Sequence, residues 1–149
     1  MVFRADVQEG FDGYVECPPV DAAYRDACVN LIDSVAPESV LEVKEFRGEL
    51  TIYVRPAKIK AICQALRDDA NLQFNYLTDV TAVDFLTLKR EPRFDVVYHL
   101  YSIPTARRLR LHAPVSEADC RIDSVVEVWP GADWMERETY DFFGINFEG

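Results

Sequence analysis

Glycine is scarce in this chain: there are six in 149 residues, and none are spaced to form a phosphate-cradling loop. Neither a GxSxG elbow nor an HExxH pair occurs, so serine-hydrolase and zincin chemistry have no motif to rest on. The four cysteines stand at 17, 28, 63 and 120, too far apart for a CxxC-type metal or iron–sulfur nest. The two histidines, His99 and His112, fall in separate strand-like runs, with no acid spacing that marks a metal site. The expectation is a chain that holds no flavin, cluster or metal of its own. Positive charge is also short. Sixteen Lys and Arg face 26 Asp and Glu, for a net charge of -10 and a pI near 4.6. That argues against a nucleic-acid surface and against direct docking on an anionic membrane.

No apolar run approaches the length of a membrane span, and the opening MVFRADVQEGFDGYVECPPV has no apolar signal core. The expectation is a protein made and kept in the cytoplasm with its thiols reduced. Any tie to a membrane then comes through another protein of the same assembly.

What is present fits one domain. Hydrophobic residues make up 49% of the chain and charged residues 28%. A chain of this length buries enough surface to fold without staples. Residues 1–19 carry Gly10, Gly13, Pro18 and Pro19 and read as a mobile lead-in, leaving 20–149 as the domain.

VDAAYRDACVNLIDSVAP places Val20, Ala23, Tyr24, Ala27, Cys28, Leu31, Ile32 and Val35 at helical steps, stopped before Pro37. In VLEVKEFRGELTIYVRP, Arg47-Gly48-Glu49 separates two strand-like runs and predicts a hairpin, with Leu50, Ile52 and Val54 alternating with Thr51, Tyr53 and Arg55 in the second run. Pro56 opens a second helix whose stripe is Ile59, Ile62, Cys63 and Leu66. Cys28 and Cys63 are thus expected to be buried free thiols. Three strand candidates follow: DVTAVDFLTL, RFDVVYHLYSI and RRLRLHAPV. SEAD reads as a polar turn that can open a helical piece. Ser124 reads as a helix cap and Pro130 as an interruption before a last helix over residues 133–143.

The order is α-β-β-α-β-β-β-α. It lacks regular βαβ alternation, so the expected class is α+β: two layers, with a mixed, mostly antiparallel sheet and helices on one face.

The last helix is the unusual part. WMERETYDFFGINFEG crowds acids and an arginine among aromatics. Met135, Thr139, Phe142 and Phe143 share one face and predict core packing. Arg137 lies four residues from both Asp133 and Asp141, with Trp134 and Tyr140 nearby. Gly144 suits a left-handed helix stop, with Ile145 reaching back to Tyr140. A packed surface helix explains the first face completely. It explains less well an arginine among acids and aromatics, the composition that interfaces select.

The residues also resemble a known family. Glu136, Arg137, Glu138, Asp141, Phe142 and Phe143 match the Glu-Arg-Glu signature of the C subunit of respiratory complex I, the NADH:quinone oxidoreductase. Trp129, Pro130, Ala132 and Trp134 resemble its approach to that signature, and LTDVTAVDF and FDVVYHLYSI resemble its two central strands. The resemblance covers most of residues 20–149 and agrees with a two-layer fold. It implies a component of the hydrophilic arm on the cytoplasmic side of the membrane, without catalytic residues or cofactors of its own. Such a component braces the D subunit, which helps form the quinone site, near the iron–sulfur subunits, during electron transfer coupled to proton translocation. It implies interface roles for Trp134, Glu136, Arg137, Glu138, Tyr140, Asp141 and Gly144. The family signature continues past the position of Gly149 with a histidine or lysine and then an arginine, so the expectation is a chain trimmed at a domain boundary or given without its C-terminal tail. Membrane-bound nickel–iron hydrogenases and related oxidoreductases carry a homologous subunit and remain an alternative. So does a free-standing protein-binding domain.

Overall fold

Arg47 and Gly48 both take positive φ, 52° and 76°, the left-handed pair that a two-residue hairpin turn demands. They join β1 (Val40–Phe46) to β2 (Glu49–Val54) as an antiparallel hairpin, as expected. This geometry comes from a computed structural model, which describes residues 18–149. Of the expected lead-in it describes only Pro18 and Pro19; the rest of that segment, with Cys17, lies outside the described residues.

α1 (Ala22–Val35) is capped by Asp21, whose carboxylate accepts the Tyr24 N–H at 2.7 Å. Its buried stripe is narrower than the spacing predicts. Tyr24, Cys28 and Ile32 are buried, whereas Ala23, Ala27 and Val35 are not. Val29 and Leu31 pack against the core partly buried beside that line. A 3-10 turn at Pro56–Lys58 leads into α2 (Ile59–Asp68). Ile59, Ile62, Cys63 and Leu66 are all fully buried, as predicted. Each aliphatic one stabilises the fold by about 1.5–3 kcal/mol through removal from water. Asp69 ends the helix, its carboxylate accepting the N–H groups of Asn71 and Leu72.

β3 (Tyr76–Asp84), β4 (Phe94–Ser102) and β5 (Arg107–Val115) complete a sheet of order β1-β2-β5-β4-β3. Only β2 and β5 run parallel in it. The mixed, mostly antiparallel expectation holds. Leu86–Leu88, which the sequence joins to β3, is a separate 3-10 turn.

One core cluster joins α1, α2 and the last helix, α3 (Ala132–Phe143), to one face of the sheet. Tyr98, Leu100, Leu109, Leu111, Leu50 and Ile52 supply much of that face. The other face carries Arg, His, Tyr and acidic side chains, and Asp95, Val97 and Thr51 on it are buried.

Two strands escape the sequence reading. β6 (Arg121–Asp123) and β7 (Asn146–Glu148) form a small parallel pair flanking α3 in the chain. The SEAD segment is a tight turn bridged by Ser116 and Asp119 rather than the start of a helix. No helix among the described residues is long and apolar enough to cross a membrane.

Candidate functional site

α3 packs along the edge strand β3, where Thr139 Oγ1 donates to the Val80 carbonyl at 3.2 Å. Its buried residues are Ala132, Glu136 and Thr139, with Met135 and Phe143 partly buried against the core. Two sequence assignments change here. Phe142, expected inside, is 75% exposed. The inward stripe runs 132-136-139-143, one step round the helix from the expected face, so Phe142 points to solvent.

Glu136, expected at an interface, is only 5% exposed and faces inward. Its Oε2 accepts the Ser124 hydroxyl at 2.7 Å and its Oε1 accepts the Val125 N–H at 2.8 Å. Burial pushes its carboxyl above the usual range, against the pull of those two hydrogen bonds. Glu136 therefore ties α3 to the turn that precedes it, and Ser124 serves this link rather than a helix cap. The Ser124 oxygen also accepts the Val126 N–H at 3.2 Å. The repeat of small Ala132 and Thr139 on either side of Glu136 was the available signal, masked because an acid does not register as a core residue.

The other residues expected at an interface, Trp134, Arg137, Glu138, Tyr140, Asp141 and Gly144, are exposed. Trp134 is 76% exposed and Tyr140 51%. Arg137 Nε donates to Asp133 at 3.0 Å, and its guanidinium stands 5.6 Å from the Trp134 ring centroid. The second expected pair, with Asp141, does not form; Asp141 and Glu138 are exposed and make no ion pair among the described residues. Gly144 takes φ 72° and its N–H bonds the Tyr140 carbonyl at 2.8 Å, the single-bond left-handed stop. Ile145, the next residue, is fully buried, while Tyr140 is half in solvent. Two grooves flank Arg137 and Asp141. One of about 530 Å³ lies toward Asn146 and Phe147, and one of about 650 Å³ lies between Trp134 and Phe142.

Cys28 and Cys63 are buried free thiols, and burial pushes Cys28 up to about 12 and Cys63 higher still. His112 and His99 both lie on the sheet face opposite the core helices. His112 Nδ1 is 3.1 Å from Asp95, which is fully buried and also paired with Arg90. Burial opposes charge on Asp95, yet His112 and Arg90 together hold its carboxyl below the usual range. Burial lowers the pKa of His99. Among the described residues no group of three or more His, Cys, Asp or Glu is arranged to hold a metal ion.

Residues 52–149, which include this helix, match the family described as respiratory-chain NADH dehydrogenase, 30 kDa subunit. The chain belongs to that family. It is 50% identical over 128 residues to the C subunit of the NADH-quinone oxidoreductase of Geotalea uraniireducens, covering 86% of this chain and 76% of that one. It is 56% identical over 109 residues to the corresponding C subunit of Geobacter sulfurreducens, covering 73% of this chain and 65% of that one. Among solved structures, the trypsin-resistant fragment of Nqo5 superposes with a TM-score of 0.69 at 30% identity, covering 84% of this chain and 96% of that one. A chain of the membrane-bound sulfane sulfur reductase, an archaeal respiratory membrane complex, superposes at 0.64 with 28% identity, covering 83% and 70%. The family assignment covers the sheet from Ile52 within β2 onward, α2 and the whole signature helix.

Proposed function

We propose that this chain is the C-type subunit of an NADH:quinone oxidoreductase and acts there as a brace, with no catalytic group or cofactor of its own. Its seat is the hydrophilic arm, peripheral to the membrane on the cytoplasmic side. Its partners are the D subunit, which helps form the quinone site, and the neighbouring iron–sulfur subunits. The observation that carries this reading is the outward face of α3. Trp134, Tyr140 and Phe142 stand exposed on a helix whose inward acid, Glu136, is locked to the chain's own turn. A rigid helix presenting three aromatics and an arginine has the composition of an interface centre rather than of a solvated surface. That the relatives are C subunits of NADH-quinone oxidoreductases supports the choice of complex.

The likeness to the sulfane sulfur reductase chain favours one second reading, the same brace in a related respiratory membrane complex. The test is complementation. Cells lacking their own C-type subunit should regain NADH-driven quinone reduction when given this chain, which should co-purify in the assembled complex. Membranes that stay inactive while the chain is abundant and folded would sink the first reading.

A further inference from the structure

On the sheet face opposite the core helices, two neighbouring rows of side chains frame a cavity of about 420 Å³. In the first row Tyr76, Tyr101 and Arg108 stand side by side across β3, β4 and β5. In the second, His99 of β4 stands beside Arg110 of β5, with Thr78 and Glu49 at the flanks. The cavity has the size of a site for one small ligand. Its lining includes no residue of α3.

The two arginines differ. Arg110 is already engaged: it pairs with Glu49 and donates to the Thr51 hydroxyl at 3.3 Å. The Arg108 carbonyl accepts the Tyr24 hydroxyl at 2.7 Å, which anchors the strand. The Arg108 guanidinium makes no ion pair and no hydrogen bond among the described residues, and stands 5.9 Å from the Tyr101 ring centroid. The hydroxyls of Tyr76 and Tyr101 and the imidazole of partly buried His99 also lack hydrogen-bond partners among the described residues. Burial, helped by the Arg110 charge, lowers the pKa of His99 against the pull of Asp79 and Glu49, so the ring is neutral at neutral pH.

Aromatic walls with a few converging polar groups are the form that small-ligand sites take. Here the unpaired set is one cation, one neutral imidazole and two phenols. Tyrosine rings favour a planar ring laid against them, and a guanidinium matches an acidic group in a two-pronged contact. One uncompensated cation suits one acidic group and not a polyphosphate. Asp79 stands opposite His99 in the sheet and repels an acid there. The acidic group therefore belongs at Arg108, and His99 meets a neutral polar atom.

We infer that this cavity binds a small planar aromatic acid. The ring lies against Tyr76 and Tyr101, the single acidic group pairs with Arg108, and a neutral polar substituent bonds His99. This site is separate from the outward face of α3 and does not depend on how that helix is used.

The test follows the amide NMR spectrum of the purified full chain during titration with para-hydroxybenzoate. The shifts should saturate and centre on Tyr76, His99, Tyr101 and Arg108. Acetate, which lacks the ring, and para-hydroxybenzyl alcohol, which lacks the charge, should each bind at least about tenfold more weakly. Arg108→Gln should weaken para-hydroxybenzoate by a similar factor while melting like wild type, since the side chain is exposed and unpaired. Shifts that fail to saturate, or that centre on another surface, would overturn the inference. So would acetate or the alcohol binding as tightly as the acid, or undiminished binding to Arg108→Gln.

Discussion

Replacing Glu136 separates the inward role of the signature helix from its outward one. In Glu136→Ala, the Val125 N–H and the Ser124 hydroxyl lose their partner inside the protein. Each buried group left unsatisfied costs about 1–3 kcal/mol. Removing a buried carboxylate returns part of that, so the net loss should be about 2–4 kcal/mol. Glu136→Gln keeps an acceptor for the Val125 N–H and removes the charge, so it should lie within about 1 kcal/mol of wild type at neutral pH.

The pH dependence has a definite sign. Burial raises the folded-state pKa of Glu136 above its reference value of 4.5. The stability it contributes is therefore fully present below that value and is lost as pH rises through the higher folded value. Glu136→Gln lacks this loss, so its stability relative to wild type should improve as the pH rises from about 4.5 toward neutrality. Thermal melts of the purified wild type and both variants across that range test the point. If Glu136→Ala melts like wild type but fails to enter the complex, Glu136 belongs to the interface and the inward assignment is wrong.

Three further outcomes follow from the same structure. Hydrogen bonds from Arg93 hold the Asp84 carboxyl at about 2, so its contribution is present above the reference value of 3.8 and lost as pH falls toward 2; Arg93→Ala should move the Asp84 titration up toward 3.8 by NMR, and an unmoved curve would contradict the pairing. Cys28 and Cys63 should resist a thiol reagent until the chain unfolds, because burial disfavours both thiolates; rapid native labelling of either would contradict their placement. Phe142→Ala should shift stability by no more than about 0.5 kcal/mol, whereas Ile62→Ala should cost about 2–5 kcal/mol; equal melting losses would mean that Phe142 packs inside.

Much of this fold is written locally. The Ile59, Ile62, Cys63, Leu66 stripe needs only helical spacing, and the Arg47-Gly48 turn needs only two residues that tolerate positive φ. The strands β6 and β7 were not legible, because each is three residues long and finds its partner across the intervening helix. Periodicity cannot report a pairing so short and so distant in sequence. In the site, the Asp133–Arg137 pair and the Gly144 stop were legible from spacing. The inward turn of Glu136 and the outward turn of Phe142 were not. Hydrophobicity alone assigns the aromatic to the core and the acid to water, and the opposite holds where a buried turn offers an N–H and a hydroxyl. Leu86 and Leu88 were read as strand residues, and only the turn after β3 shows them to be exposed.

The central claim is that the outward face of α3 serves assembly and not folding. Trp134→Ala combined with Arg137→Ala tests it most directly, by the melting curve of the purified chain set beside the yield of quinone-reducing complex in membranes. The melting curve should stay within about 1 kcal/mol of wild type, since both side chains are largely exposed, while the yield of complex should fall at least about tenfold. A double variant that assembles at the wild-type level would contradict it.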